Sequence, residues 1–122
     1  MKKGRKISGG RYKASRKKKF FELPGQRKTT KLGEEKRKIL RIRGGNKKIF
    51  LLKGKMINVK SGNKVKKFEI KNVVETPSNR FLARQNILTK GTFVETDIGK
   101  VKITNRPGQE GVINGILIKE KK

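Results

Sequence analysis

Residues 92–118 read TFVETDIGKVKITNRPGQEGVINGILI, and the order of apolar and turn-forming residues in this stretch decides the fold. Thr92 to Thr96 is a short run of β-branched and aromatic residues that stops at Asp97-Ile98-Gly99, where two of three residues favour turns. Val101-Lys102-Ile103-Thr104 then alternates apolar with polar, the period of a strand with one buried and one wet face. Arg106-Pro107-Gly108 has the proline-then-glycine order of a type II turn, and Val112 to Ile118 supplies a closing strand. The same grammar holds upstream. Lys38 to Arg43 ends at Gly44-Gly45-Asn46, Ile49 to Leu52 is followed by Gly54, and Met56 to Val59 leads into Ser61-Gly62-Asn63, a hairpin signal. Val65 to Ile70 alternates in part, Val73-Val74 stops before Pro77, and Ile87-Leu88 precedes Lys90-Gly91. Short runs at this spacing predict an all-β fold, a small antiparallel β-barrel over residues 37–122. One helical turn or two is expected around Ser78 to Gln85, and Lys66, Lys100 and Lys102 should keep one barrel face wet and cationic.

Residues 1–36 lack this grammar. Ile7, Tyr12, Phe20, Phe21, Leu23 and Leu32 follow no helical or strand period, glycines interrupt them, and Pro24 removes a backbone donor. Too little apolar surface is present to offset the entropy of ordering. The segment is therefore read as a basic, largely extended N-terminal arm that is disordered when free and orders on a partner.

Charge names the class of partner. The chain has 122 residues, with 36 Lys and Arg against 9 Asp and Glu, and a net charge of +27. Residues 1–48 hold 20 of the cations and 3 of the acids. Such an excess repels itself unless a polyanion neutralises it. Hydrophobic residues are 31% of the chain, below the roughly 45–50% of an average globular domain. Cysteine is absent, which excludes disulfides and thiolate metal sites. No run approaches the ~18 apolar residues of a membrane span, and no apolar region follows the basic N-terminus as in a secretory signal. The expectation is a soluble intracellular protein with a nucleic-acid partner, no membrane and no small-molecule substrate.

Catalysis finds little support. Histidine is absent, removing the commonest general base. Glu95 and Asp97 share a face if both lie in a strand, and such a pair can hold Mg²⁺ beside RNA phosphates; acids paired with nearby lysines are the simpler reading and the one taken here. Lys90-Gly91-Thr92 lacks the upstream glycine of a P-loop and is read as a turn. No enzyme activity and no cofactor are expected.

The basic segments carry the signal. Lys3, Arg5, Lys6 and Arg11, then Arg16, Lys17, Lys18 and Lys19, are dense enough to meet several phosphates, each releasing counterions. Tyr12, Phe20 and Phe21 are interleaved with them, suited to stacking on unpaired bases; for the two phenylalanines, anchoring the arm to the barrel is an equal alternative. Arg41, Arg43, Gly44, Gly45 and Asn46 combine guanidinium donors with a backbone free of side chains, suited to close phosphate approach and equally to a tight turn. Arg106 is a lesser candidate. The arm has no apolar helical face for a membrane surface.

Three stretches then match a known family in order: GRKISGGRYKASRKKKFFEL (Gly4 to Leu23), KLGEEKRKILRIRGGNKKI (Lys31 to Ile49) and NILTKGTFVETDIGKVKITNRPGQEGVINGILI (Asn86 to Ile118). Over nearly its whole length the chain resembles the archaeal and eukaryotic S8e family of small-subunit ribosomal proteins, in its compact archaeal form. The resemblance implies a β-barrel with a basic N-terminal extension and a structural role in the small (30S) subunit. It further implies small-subunit rRNA and neighbouring ribosomal proteins as partners, and a cytoplasmic, ribosome-bound location. Ile42 stands where that family usually has a small polar residue. Two rivals remain: a ribosome-biogenesis factor sharing this domain, and a chromatin-type DNA-compacting protein.

Overall fold

A computed structural model describes residues 4–13, 16–62 and 64–118. The runs read from the sequence become strands that divide between two sheets. Five of them, β4 (Met56–Ser61), β5 (Lys64–Glu75), β7 (Phe93–Thr96), β8 (Gly99–Ile103) and β9 (Asn114–Leu117), form a closed barrel in that order. Neighbours run antiparallel from β4 to β9, and a parallel pairing of β9 with β4 closes the ring. Closure leaves no strand edge inside the barrel unpaired. An all-β barrel is thus present, closed through one parallel seam.

The expected hairpin joins β4 to β5, with Ser61 opposite Lys64 and Gly62 at φ 61°; Asn63 lies outside the described residues. The two short runs read as Val65–Ile70 and Val73-Val74 are one long strand. Its register shifts between Ile70 and Asn72 and again between Val73 and Glu75. Such irregularities bend a strand and increase its twist, so β5 serves both β4 and β7 around a tight circumference. Alternation in β8 is as the sequence indicated: Val101 and Ile103 are fully buried while Lys100 and Lys102 face outward. Val59 and Val94 complete the centre of the core with Ile57 and Ile70. At Gly115 of β9 an added Cβ would sit 2.5 Å from Val101 Cγ1 and 3.0 Å from the Lys102 carbonyl, so packing there admits no side chain.

The second sheet has the order β2-β3-β1-β6, from β1 (Thr30–Leu32), β2 (Lys36–Arg41), β3 (Lys47–Gly54) and β6 (Ile87–Leu88). Sequence reading did not separate this layer from the barrel, and composition placed Thr30 to Leu32 in the arm. Those three residues pair parallel with β3 and antiparallel with β6, and the buried Thr30 hydroxyl donates to the Leu51 carbonyl at 2.7 Å. Leu51 and Leu88 join the barrel core from this sheet.

Helix α1 (Arg80–Arg84) falls where a helical turn was expected, with the Asn79 side chain accepting from the Phe81 amide at its N-terminus. The type II turn read at Arg106-Pro107-Gly108 is instead a short helix, α2 (Pro107–Glu110). Proline suits a first helical position, where its missing N–H would have had no intrahelical partner. Gly111 ends the helix at φ 76°, its amide donating to the Pro107 carbonyl. An added Cβ on Gly111 would come 2.6 Å from Ile49 Cγ2, which packs α2 tightly on β3.

Candidate nucleic-acid interface

Among its described residues the arm carries two small ordered pieces ahead of β1. Arg5 and Arg11 face each other across an antiparallel bridge, closed by hydrogen bonds between Lys6 and Gly10 and between Gly9 and Lys6. The Arg5 guanidinium donates to the Gly9 carbonyl at 3.0 Å, and the Lys6 ammonium lies 5.8 Å from the Tyr12 ring centre. Arg5, Lys6, Arg11 and Tyr12 therefore share one exposed loop; Lys3 lies outside the described residues.

The second piece is a single helical turn at Phe20–Glu22. Arg16 grips both carboxylate oxygens of Glu22, at 2.8 and 2.5 Å, and the same carboxylate accepts from the Lys19 amide at 3.0 Å. The Arg16 guanidinium, and secondly the Lys19 amide, hold the Glu22 carboxyl below its usual range, while Glu22 raises the pKa of Arg16. Arg16, expected among the phosphate contacts, braces this turn instead in the free chain. Lys17, Lys18 and Lys19 are exposed around it. Phe20 and Phe21 are 92% and 78% exposed, so in this structure neither ring anchors the arm to the barrel.

Arg41, Arg43, Gly44, Gly45 and Asn46 gather at the tip of the β2–β3 hairpin. The Ile42 amide donates to the Asn46 carbonyl at 2.7 Å, and Gly44 and Gly45 sit at φ 78° and 77°, values that side chains disfavour. This is the tight turn that was one of two readings, and its residues are all exposed.

Where the arm meets the two sheets, the fold makes something the sequence did not show. Residues 25–30, the inner end of α2 and one face of the second sheet enclose a groove of about 1200 Å³. Five cations line it, Arg27, Lys28, Lys38, Lys90 and Arg106, and no carboxylate does. Phe50, Leu52, Leu82 and Leu88 supply its apolar wall. The Lys28 ammonium rests 3.5 Å from the centre of the Phe50 ring, a close cation–π contact. Of these cations only Arg106 was singled out from sequence; the rest are unremarkable lysines and arginines until β1, β2 and α2 bring them together.

The acids are used elsewhere. Asp97 pairs with Lys71 at 2.9 Å, Glu69 with Lys55, and Glu35 with Arg37. Asp97, then Glu95 and Glu69, raise the pKa of Lys71. Glu95 and Asp97 thus face lysine, and among the described residues no cluster of acids gathers to hold a metal. Among those residues, too, no helix is long and apolar enough to cross a membrane.

A family model described as Ribosomal protein S8e matches residues 1–118. The chain belongs to the ribosomal protein S8e family. Curated relatives agree. The chain is 48% identical over 116 residues to the small ribosomal subunit protein eS8 of Nanoarchaeum equitans, covering 93% of this chain and 91% of that one. The eS8 of Staphylothermus marinus is 50% identical over 119 residues, with 95% and 93% covered. That of Methanocella arvoryzae is 44% identical over 117 residues, with 93% of each covered. The matched span takes in the S8e arm, the RGGN hairpin and the groove alike.

Proposed function

We propose that this S8e chain is a non-enzymatic structural constituent of the small ribosomal subunit, bound to small-subunit rRNA in the cytoplasm. One observation carries the reading: relatives matching more than nine-tenths of the chain bear the name of a small ribosomal subunit protein. The charge distribution supports it physically. With 36 cations and 9 acids, carboxylates can neutralise at most a quarter of the positive charge one for one, so the rest needs an external polyanion. In this reading the two sheets dock on a preformed RNA surface and the arm, from Lys2 to about Arg27, orders between RNA helices, reducing their mutual repulsion. Lys3, Arg5, Lys6, Arg11, Lys17, Lys18, Lys19, Arg41 and Arg43 meet phosphates, with Gly44, Gly45 and Asn46 allowing close backbone approach. Arg16 joins them if RNA competes successfully for its guanidinium. Tyr12, Phe20 and Phe21 stack on unpaired bases, since their exposed rings have no place in the protein's own core.

The test is sedimentation of tagged chain through a high-salt sucrose gradient. Co-migration with intact small subunits is expected. Its presence in precursor particles alone would assign it to the biogenesis factors that share this domain. Equal affinity for duplex DNA and structured rRNA at ~0.15 M salt would favour DNA compaction, because phosphate binding by itself does not discriminate.

A further inference from the structure

The groove at the root of the arm is a candidate for more than added positive charge. We infer that it is a binding site for a short unpaired RNA segment, which lays its phosphates against Arg27, Lys38, Lys90 and Arg106 and at least one base against Phe50 and Leu52. The inference deepens the ribosomal reading above and rests on it.

Three features of the groove point to this occupant. Its five lining cations come from the arm root, β2, the β6–β7 turn and the start of α2, and no carboxylate faces them. A cavity so lined recruits an anion, and the ordered sheets hold Lys38 in place before binding. Its second wall is apolar, from Phe50, Leu52, Leu82 and Leu88. A duplex presents phosphate and sugar to a side groove and has no use for an apolar wall; an unpaired base does, because its ring face gains by leaving water to stack on apolar surface. Size is the third feature. At about 1200 Å³ the space exceeds the roughly 300–1,000 Å³ typical of small-ligand pockets, which suits a few linked nucleotides better than a single metabolite.

Lys28 fits the same picture. Its ammonium lies on the Phe50 ring at 3.5 Å, where it covers an aromatic face that an incoming base would otherwise find bare. A base stacking there displaces the ammonium, and the phosphate of the same nucleotide is at hand to neutralise it. Phe50 is half-buried and lies directly opposite Lys38 on β2, so ring and cation present to the groove from one face of the sheet.

The experiment uses the full chain and two RNAs of equal length and charge: a hairpin with a run of unpaired uridines, and a fully paired duplex. A triple variant, Lys38→Gln with Lys90→Gln and Arg106→Gln, is compared with the unaltered chain. It is expected to lose about tenfold or more in affinity for the unpaired RNA while losing a few-fold at most on the duplex. Circular dichroism should show both proteins equally folded, since all three side chains are exposed. With 4-thiouridine placed in the unpaired run, irradiation is expected to crosslink the peptide holding Phe50 and Leu52. Equal losses on both RNAs, or crosslinks confined to residues 4–24, would overturn the assignment. A chain that binds small-subunit rRNA tightly yet shows no preference for the unpaired RNA loses the groove proposal alone; a chain that binds no rRNA loses both.

Discussion

Removing residues 1–24 tests the division of labour between arm and folded domain, because the cut falls just before the groove wall begins at Gly25. It deletes ten cations and one acid, lowering the net charge by nine from +27. Arg16 is already paired with Glu22, and Lys2 and Lys13 were not among the expected contacts. On the proposed reading seven cations remain as phosphate contacts: Lys3, Arg5, Lys6, Arg11, Lys17, Lys18 and Lys19. Each neutralised phosphate contributes about 0.7 to 0.9 to the slope of log affinity against log salt. The truncated chain should therefore show a slope shallower by about 5 to 6. Between 50 and 200 mM salt the arm's share corresponds to roughly three to four orders of magnitude in affinity. Filter binding of a small-subunit rRNA transcript over that salt range reads the slope directly. The folded part should survive, since among the described residues every buried hydrophobic side chain lies downstream of Thr30, and Ile7, Tyr12, Phe20, Phe21 and Leu23 of the arm are exposed. Thermal unfolding of the truncated chain is expected within about 0.5 kcal/mol of the full one. A slope difference of about one or less, with the fold intact, would refute the arm as the main phosphate binder.

Three other outcomes are expected. Gly115→Ala places a Cβ 2.5 Å from Val101 Cγ1 and 3.0 Å from a backbone carbonyl, so overpacking should cost about 1–3 kcal/mol in urea unfolding; Gly25→Ala, which meets nothing within 4 Å, should cost nearly nothing, and equal effects would contradict the packing at β9. Phe20→Leu with Phe21→Leu keeps apolar bulk but removes the aromatic faces, and should weaken binding to RNA with unpaired bases by about tenfold at constant salt slope; an unchanged affinity would mean the rings do not stack. The Arg16–Glu22 brace depends on an ionised carboxylate whose pKa is lowered, so it is fully present above the ordinary glutamate value of about 4.3 and is lost as pH falls through the lowered one. Ring-proton shifts of Phe20 and Phe21 should follow that titration by NMR and be flat in Glu22→Gln; identical curves in both proteins would show that the pair does not hold the turn.

Barrel strands were legible because each half-buried strand writes its own period. Val101 and Ile103 are buried and Lys100 and Lys102 exposed, as alternation dictates. Partition into two sheets was not legible, because pairing partners lie far apart in sequence and a run such as Thr30-Lys31-Leu32 is too short to show a period. Its strand character comes from β3 and β6 on either side and from the Thr30 hydroxyl on Leu51. At Arg106-Pro107-Gly108 two rules competed. Proline followed by glycine suggested a type II turn, but Pro107 with Gly111 four residues on is also a first helical position and a left-handed cap. Burial of α2 against Ile49 decides between them, and that contact is invisible to local pattern. Similarly, β5 was read as two runs because its bulges interrupt the alternation that would have joined them.

The cationic surface separates along the same line, which bears on how the protein engages RNA. Runs such as Arg16 to Lys19 are dense in sequence and announce themselves, yet on the proposed reading they sit on a segment that gives up conformational entropy when it binds. Lys38, Lys90 and Arg106 lie far apart in sequence, but the second sheet, the β6–β7 turn and α2 bring them around one groove, so their backbone ordering cost is met when the chain folds. Preordered groups discriminate between shapes of RNA, because a misfit leaves buried walls and charges unsatisfied. Flexible cations follow whatever phosphate path they meet and add affinity with little discrimination. It follows that mutating arm lysines should lower affinity almost uniformly across RNAs, whereas mutating groove residues should change which RNA is preferred. The affinity profile of Lys17→Gln/Lys18→Gln against that of Lys38→Gln/Lys90→Gln, over paired and unpaired RNAs of matched charge, separates the two contributions. Parallel profiles for the two variants would mean that the fold adds charge without adding recognition.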